Sequence, residues 1–263
     1  GQPSEFGGPR VVFSTFLGPA TRNEGHITKE FKLPLAAAWG SGAAALGGWS
    51  LSDHHVYDPG DRTLYLGNGE RIVDADQLGG VLNTALGAGP ISHTSAPPNT
   101  PARLITMNGQ GAVIATAHGG GYWAGIGIRL FHVSRDGLVN LAAVFPESIG
   151  DLAVGARGEV YIANNWIVYK YDPWTASTTT VAGTGGSCPG PLTTAEVAAT
   201  TPLCLGPRLA AAPDGNLYIA DLVHERINRL TPDGVIRPFA FQGVQCDFFA
   251  AYRHAFCGVD VPA

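Results

Sequence analysis

The sequence has few charged residues and lacks any long apolar run. Only 14% of its 263 residues are charged, lysine occurs three times, and no stretch of about 18 apolar residues is present. The few lysines and arginines are scattered, and the net charge is −5. The sequence therefore encodes no membrane-spanning helix and no basic stripe of the kind that binds nucleic-acid phosphates.

The abundant residues are those of turns and cores. Glycine occurs 36 times and proline 19 times, while 45% of the residues are hydrophobic. This composition is typical of short strands joined by tight turns, and the length suits one large all-β domain or two ordinary ones. The sequence begins at Gly1 rather than at a methionine, so we expect a processed chain or an excerpt from a longer one.

One short unit occurs several times. Its clearest copy, NLYIADLVHERINRLTPDGVI at residues 216–236, contains two apolar strands, with Asp-Gly turns at 214–215 and 233–234. Related segments begin near residues 61, 109 and 156. Their core strands begin at Leu64, Ala112, Val160 and Leu217, which gives two equal steps and a longer third one. We therefore predict that the strands at 64–67, 112–117, 160–164 and 217–221 occupy the same position in successive repeats.

Each copy divides into four strands. The clearest copy gives strands at 207–213, 216–222, 226–232 and 235–241, and the preceding copy gives DLAVGA, EVYIANN, IVYKYDP and TTTVAGT in the same order. A period of about 40 to 50 residues with only strand signals is typical of a β-propeller blade. The predicted fold is an all-β propeller with about four recognisable blades, incomplete or fragmentary, and with under about a tenth of its residues helical.

Two segments resemble known families. LAAAPDGNLYIAD (209–221), followed by RINR (226–229) and TPDG (231–234), resembles the NHL repeat. Residues 33–71, which contain GGWSL, HHVYDP and LYLGNG, resemble the entry into the propeller of bacterial Rhs/YD-repeat proteins, the group that includes teneurins.

The second resemblance implies a context for the chain. In Rhs/YD-repeat proteins the propeller adjoins a large β-shell that encloses cargo, although this sequence contains no Tyr-Asp repeat array. The implied partner is the remainder of a larger Rhs-like polypeptide or a neighbouring chain. We expect residues 1–50 to form a β-hairpin or the end of a preceding β-domain, and residues 51–263 to form the blades.

Four cysteines lie in two local pairs, Cys188 with Cys204 and Cys246 with Cys257. Their spacings lack the Cys-x-x-Cys form of a zinc knuckle, so disulfides are favoured over free thiols and over a metal site. Disulfides would place the protein in an oxidising compartment, secreted or at the cell surface.

A binding surface is predicted on one face of the blades. The loops between second and third strands, together with the connections between blades, are expected to bring His118, Tyr122, Trp123, Trp166 and His224 to that face. Aromatic rings there would bind a protein or a glycan, because they supply contact area at low entropic cost. The alternative interpretation is that these side chains pack one blade against the next.

The sequence favours a non-catalytic scaffold, plug or recognition domain with no cofactor and no metal. Neither a nucleophile elbow nor a phosphate-binding loop is present. The alternatives are a stand-alone secreted propeller that binds glycans or proteins, and an NHL-type metal-dependent lyase or hydrolase.

Overall fold

The structure is a computed structural model that describes residues 30–31, 49–50, 55–58, 63–67, 72–76, 82–87, 89–108, 112–186, 190–204, 208–221, 223–224 and 226–240. The strands along these residues are β1 (Glu30–Phe31), β2 (Trp49–Ser50), β3 (His55–Asp58), β4 (Thr63–Gly67), β5 (Ile72–Asp76), β6 (Leu82–Leu86), β7 (Ile91–Ser92), β8 (Thr100–Pro101), β9 (Ile105–Thr106), β10 (Ala112–Thr116), β11 (Tyr122–Ile126), β12 (Arg129–Val133), β13 (Leu138–Val144), β14 (Asp151–Val154), β15 (Val160–Ala163), β16 (Val168–Asp172), β17 (Ser177–Ala182), β18 (Glu196–Val197), β19 (Arg208–Ala211), β20 (Leu217–Asp221), β21 (Arg226–Leu230) and β22 (Val235–Ala240). The helical elements in this part of the chain are two 3₁₀ turns, Ala102–Leu104 and Ala198–Thr200.

Four antiparallel sheets dominate the structure, and in each of them four consecutive strands lie side by side in sequence order. Blade 1 is β3–β6, blade 2 is β10–β13, blade 3 is β14–β17 and blade 4 is β19–β22. This meander is the arrangement of a propeller blade. The predicted fold class, all-β with four-stranded propeller blades, is confirmed.

The chain divides into two compact units. One contains Gly1–Ala96 and Pro101–Ala112, and the other contains Pro97–Thr100 and Val113–Ala263. In the first unit, β1 pairs with β2 and β7 runs parallel to β9. The predicted hairpin within residues 1–50 otherwise lies outside the described residues, and the boundary at residue 50 stays a prediction.

The Asp-Gly turn before β20 has the backbone conformation that its residues favour. At the turn before β20, Gly215 adopts φ +85°, a conformation that a side chain at Cβ would strain. Asp214 Oδ1 accepts a hydrogen bond from the backbone N–H of Asn216 at 3.0 Å. That bond is the first cause of the lowered pKa of Asp214. The strands predicted for blades 3 and 4 are confirmed with small shifts at their ends.

Blades 2, 3 and 4 pack face to face. Neighbouring residues on a strand point to opposite faces, so Leu152 of β14 contributes to the core with blade 2 and Ala153 contributes to the core with blade 4. The first core contains Val113, Ala115, Ala117, Trp123, Leu130, Phe145, Ile149, Leu152, Val160, Ile162 and Tyr171. The second contains Ala153, Val168, Ala182, Ala198, Leu203, Leu217, Ile219, Leu230 and Ile236. Each blade of this unit therefore depends on its neighbour for burial.

Hydrogen bonds also join the first strands of blades 3 and 4. Asp151 Oδ2 accepts a hydrogen bond from the backbone N–H of Leu209 at 2.7 Å. The exposed Arg208 donates from Nη1 to the carbonyl oxygen of Gly150 at 2.8 Å. These bonds fix the position of β14 against β19.

The predicted equivalence of four core strands is wrong for one of them. Leu64, Val160 and Leu217 lie in the second strand of their blades, whereas Ala112 begins the first strand of blade 2. The second strand of that blade begins instead at Tyr122. The equal steps from Leu64 to Ala112 and from Ala112 to Val160 therefore compared different strands.

The repeating unit is a pair of blades. The first strands begin at His55, Ala112, Asp151 and Arg208, so the first and third steps are equal and the middle step is shorter. The connections before blades 2 and 4, at 87–111 and 183–207, are equal in length. The connection before blade 3, at 145–150, is much shorter. Long and short connections thus alternate along the blades.

The two long connections contain the same short elements in the same positions. β8 begins at Thr100 and β18 begins at Glu196, while the two 3₁₀ turns begin at Ala102 and Ala198. In both cases the second element follows the first by the same number of residues. Each of these short strands extends the sheet of the blade that follows it, β8 beside β13 and β18 beside β22. Ala112 and Arg208, which begin blades 2 and 4, share this offset. The step from Leu64 to Ala112 is half of this two-blade period.

Within the described ranges, no helix is long and apolar enough to cross a bilayer.

Candidate functional site

A small pocket lies where the long connection before blade 4 meets that blade. Its volume is about 100 Å³. It is lined by Gly190, Pro191, Leu192, Glu196, Thr201, Pro202, Leu203, Cys204, Asp221, His224 and Asn228. The connection supplies one wall, and the second and third strands of the blade, with the turn between them, supply the other.

The blade wall contains a hydrogen-bonded pair of side chains. Asp221 ends β20, and its Oδ1 accepts a hydrogen bond from the backbone N–H of His224 at 3.1 Å. Its Oδ2 lies 2.7 Å from Nδ1 of the same histidine. The two side chains are 12% and 17% exposed. The Asp221 carboxylate therefore accepts a loop amide and also fixes the orientation of the imidazole.

Buried polar side chains lie next to this pair. Asn228 is 2% exposed, and its Oδ1 has no hydrogen-bond partner among the described residues. Leaving a buried acceptor unpaired costs about 1 to 3 kcal/mol, so such an atom marks a place where a ligand or water gains a hydrogen bond. Arg226 donates a hydrogen bond from Nη1 to the carbonyl oxygen of Leu192, which belongs to the long connection. The connection is thereby held against the blade.

The connection wall is ordered by its own hydrogen bonds. The hydroxyl group of Thr201 lies 3.0 Å from Glu196 Oε2 and 2.9 Å from the carbonyl oxygen of Val197. Cys204 is buried and disulfide-bonded. The other three cysteines, Cys188, Cys246 and Cys257, lie outside the described residues. The predicted pairing of Cys188 with Cys204 and of Cys246 with Cys257 therefore stays a prediction.

Blade 3 uses the same turn design as blade 4. Asn164 Oδ1 accepts hydrogen bonds from the backbone N–H groups of Trp166 at 3.0 Å and Ile167 at 2.8 Å. Trp166 is half-buried. A Cβ added at Gly183 would lie 2.2 Å from the carbonyl oxygen of Trp166, so this turn contacts the start of the long connection. We call residues 164–167, 183–186 and 190–204, together with Asp221, Val223 and His224, the pocket end.

Two predicted surface residues are buried. Tyr122 and Trp123 lie in β11 and are 3% and 6% exposed. The Trp123 ring packs against Tyr171 of blade 3, with ring centroids 5.8 Å apart. Neither side chain offers contact area to a ligand, and the contact of Trp123 with Tyr171 agrees with the packing interpretation for that residue. They alternate along a central strand covered on both faces.

His118 lies at the opposite end of its blade from the predicted face. It belongs to the turn between β10 and β11, whereas Trp166 and His224 lie in turns between second and third strands. Because antiparallel strands reverse direction, these two kinds of turn are at opposite ends. Of the predicted binding residues, only Trp166 and His224 are therefore at the pocket end.

Sequence reasoning missed an exposed tryptophan. Trp174 is 72% exposed in the turn between β16 and β17. Asp172 Oδ1 accepts a hydrogen bond from its backbone N–H at 2.9 Å, and this bond is the first cause of the lowered pKa of Asp172. The sequence Asp-Pro-Trp-Thr is a turn signal that could have identified it.

The pocket is rich in hydrogen-bond acceptors. Asp221 and Glu196 contribute carboxylates, and His224 contributes an imidazole. Asn228 contributes an amide oxygen that has no partner among the described residues. Such a set favours a ligand that donates hydrogen bonds or carries positive charge.

Comparisons with known proteins show the fold and no closer relationship. No protein-family model matches the sequence, and no curated protein matches it. Among solved structures, the chain is similar to a structural-genomics protein of unknown function from Bacteroides thetaiotaomicron, with a TM-score of 0.50 and 10% identity. That alignment covers 71% of this chain and 47% of the other.

Two further structures align at lower TM-scores. One is virginiamycin B lyase from Staphylococcus aureus, with a TM-score of 0.47, 14% identity, and coverage of 71% of this chain and 54% of the lyase. The other is an auxiliary nutrient binding protein from Bacteroides thetaiotaomicron, with a TM-score of 0.44, 16% identity, and coverage of 73% and 57%. The chain thus spans about half the length of these three structures.

Proposed function

We propose that this chain is a non-catalytic recognition domain of a secreted Rhs/YD-repeat-like protein. In this proposal the pocket end of blades 3 and 4 binds a protein surface, namely the remainder of the same large polypeptide. The supporting observation is the buried Oδ1 of Asn228, which has no partner among the described residues, in a pocket walled by the long connection. A protein side chain with a donor group would complete that hydrogen bond.

Two apolar side chains at the pocket end would add contact area. Val223 is 53% exposed beside His224, and Trp166 is half-buried in the equivalent turn of blade 3. Turns fixed by Asn164 and Asp221 lose little conformational freedom on binding, because their backbone is already hydrogen-bonded. Two turns with fixed backbones and apolar side chains suit a recognition surface, since fixed apolar contacts contribute to binding.

The Rhs context rests on residues 33–71, whose resemblance is to the propeller entry of that group. It is tested by reading the complete open reading frame that encodes this chain. We expect tandem Tyr-Asp repeats next to the propeller. A frame that contains no such repeats would contradict the Rhs context and leave a stand-alone binding propeller.

Binding is tested with the remainder of the encoded polypeptide supplied as a separate chain. We expect the double variant Trp166→Ala, Val223→Glu to weaken binding at least tenfold, measured by biolayer interferometry. His118→Ala is the matched control, because His118 is exposed at the other end of its blade. Unchanged binding by the double variant would contradict the proposed surface.

A glycan is the second candidate ligand, because the half-buried Trp166 offers an aromatic ring at the pocket end. A glycan array probed with the same variants separates the candidates. Glycan binding that Trp166→Ala abolishes, without binding to the polypeptide, would favour the stand-alone module.

A further inference from the structure

Three side chains of the types that bind metals converge in the pocket of blade 4. Cys204, Asp221 and His224 each offer one ligand atom, and these atoms all lie within 4.8 Å of one another. Thiolate, imidazole and carboxylate are the ligand types that Zn²⁺ takes in proteins. The residues come from two segments, the long connection and the end of β20 with the turn that follows it. The hydrogen bond from Arg226 to Leu192 holds these segments together.

A second observation places an additional oxygen ligand in the same cavity. Asn228 lines the pocket, is 2% exposed, and its Oδ1 has no hydrogen-bond partner among the described residues. That oxygen is available to a metal-bound water or to the metal itself. The cavity of about 100 Å³ has room for an ion and a water molecule, whose share of liquid volume is about 30 Å³.

The oxidation state of Cys204 decides whether the third ligand exists. Cys204 is disulfide-bonded, and a disulfide sulfur lacks the negative charge with which a thiolate binds Zn²⁺. A dithiol reductant converts the disulfide to two thiols and is itself oxidised to a disulfide. The Cys204 thiol then loses its proton to solvent when the metal binds.

We propose that this pocket is a redox-controlled zinc site, closed while Cys204 is oxidised and able to bind one Zn²⁺ through Cys204, Asp221 and His224 after reduction. The thiolate and the carboxylate together balance the charge of the ion, which favours binding in a partly buried site. Zn²⁺ replaces the hydrogen bond between Asp221 and His224, or it uses the other ring nitrogen. This proposal does not depend on the proposed function, because it is measured without any partner.

The experiment uses Zn²⁺ alone. We measure binding to the purified chain by equilibrium dialysis before and after treatment with a dithiol reductant that is removed anaerobically. The expected result is one equivalent of tightly bound Zn²⁺ in the reduced protein and at least tenfold weaker binding in the oxidised protein. Equal binding in both states would overturn the proposal.

Variants identify the ligands. Cys204→Ser, Asp221→Asn and His224→Gln should each weaken Zn²⁺ binding to the reduced protein at least tenfold. The controls are His118→Gln and the double variant Cys246→Ser, Cys257→Ser, which should bind as the unmodified protein does. Loss of binding in either control, or none in the three ligand variants, would show that the metal binds elsewhere.

A spectroscopic probe separates ligand loss from misfolding. Co²⁺ bound to the reduced protein should give a thiolate-to-cobalt charge-transfer band in the near ultraviolet. That band should be missing in Cys204→Ser, while far-ultraviolet circular dichroism shows the same strand content. Loss of that strand signal on reduction of the unmodified protein would overturn the proposal, since the site requires the folded blade.

Discussion

The carboxylate of Asp221 contacts both the backbone and the side chain of one residue: Oδ1 accepts the backbone N–H of His224, and Oδ2 lies 2.7 Å from its Nδ1. Removing it should destabilise blade 4, because a turn amide loses its acceptor. We expect Asp221→Ala to lower the free energy of unfolding by about 1 to 2 kcal/mol, and Asp221→Asn by less, since its amide oxygen can still accept the N–H. Urea denaturation measures both. Equal losses in the two variants would contradict this role.

Trp123 should behave as a core residue. It is 6% exposed and contacts Tyr171 across the interface of blades 2 and 3. Trp123→Ala should therefore lower the free energy of unfolding by about 3 to 5 kcal/mol. The matched control is Trp174→Ala, which removes a tryptophan that is 72% exposed and should change stability by about 0.5 kcal/mol or less. Similar losses in both variants, measured by thermal and urea unfolding, would contradict the assigned positions.

His132 should make the protein less stable in acid. Burial lowers its pKa below the ordinary value of 6.5, and its ring lies 4.7 Å from that of Trp123. The unfolded chain therefore binds a proton near pH 6.5 while the folded chain does not, so stability falls as the pH drops below about 6.5. His132→Gln should remove this part of the pH dependence in urea titrations between pH 5 and 8. A variant that follows the unmodified curve would show that His132 is not its source.

The disulfide of Cys204 should join it to Cys188. The two cysteines lie in the same long connection, and closing a loop of about 15 residues stabilises a fold by about 3 kcal/mol in the chain-entropy model. Peptide mapping without reduction should give a peptide linking Cys188 to Cys204 and another linking Cys246 to Cys257. A peptide joining residues near 188 to residues near 250 would show that the two loops are linked to each other.

The strands of blades 3 and 4 were predictable because their turns are marked by Arg-Gly and Asp-Gly. Blade 2 was not, because Ala112–Thr116 is as apolar as a central strand and begins as far from Leu64 as from Val160. Periodicity alone cannot distinguish a first strand from a second when long and short connections alternate. Comparison of the sequence with itself at an offset of two blades could have revealed the alternation.

The site was less predictable than the fold. His224 and Trp166 were predicted in the correct turns. Tyr122 and Trp123 were predicted at the surface, but they are buried because both faces of β11 are covered. The environment of the Asn228 amide oxygen depends on the long connection folding over β21, and no local pattern encodes that contact. Three-dimensional packing was needed to bring Cys204 beside His224.

The most direct test of the recognition role is hydrogen exchange of this chain alone and within its complete encoded protein. We predict slower exchange in the complete protein at residues 164–167 and 190–204 of the pocket end, and unchanged exchange in the turns at residues 117–121 and 173–176. Protection of those two turns, with no change at the pocket end, would contradict the account.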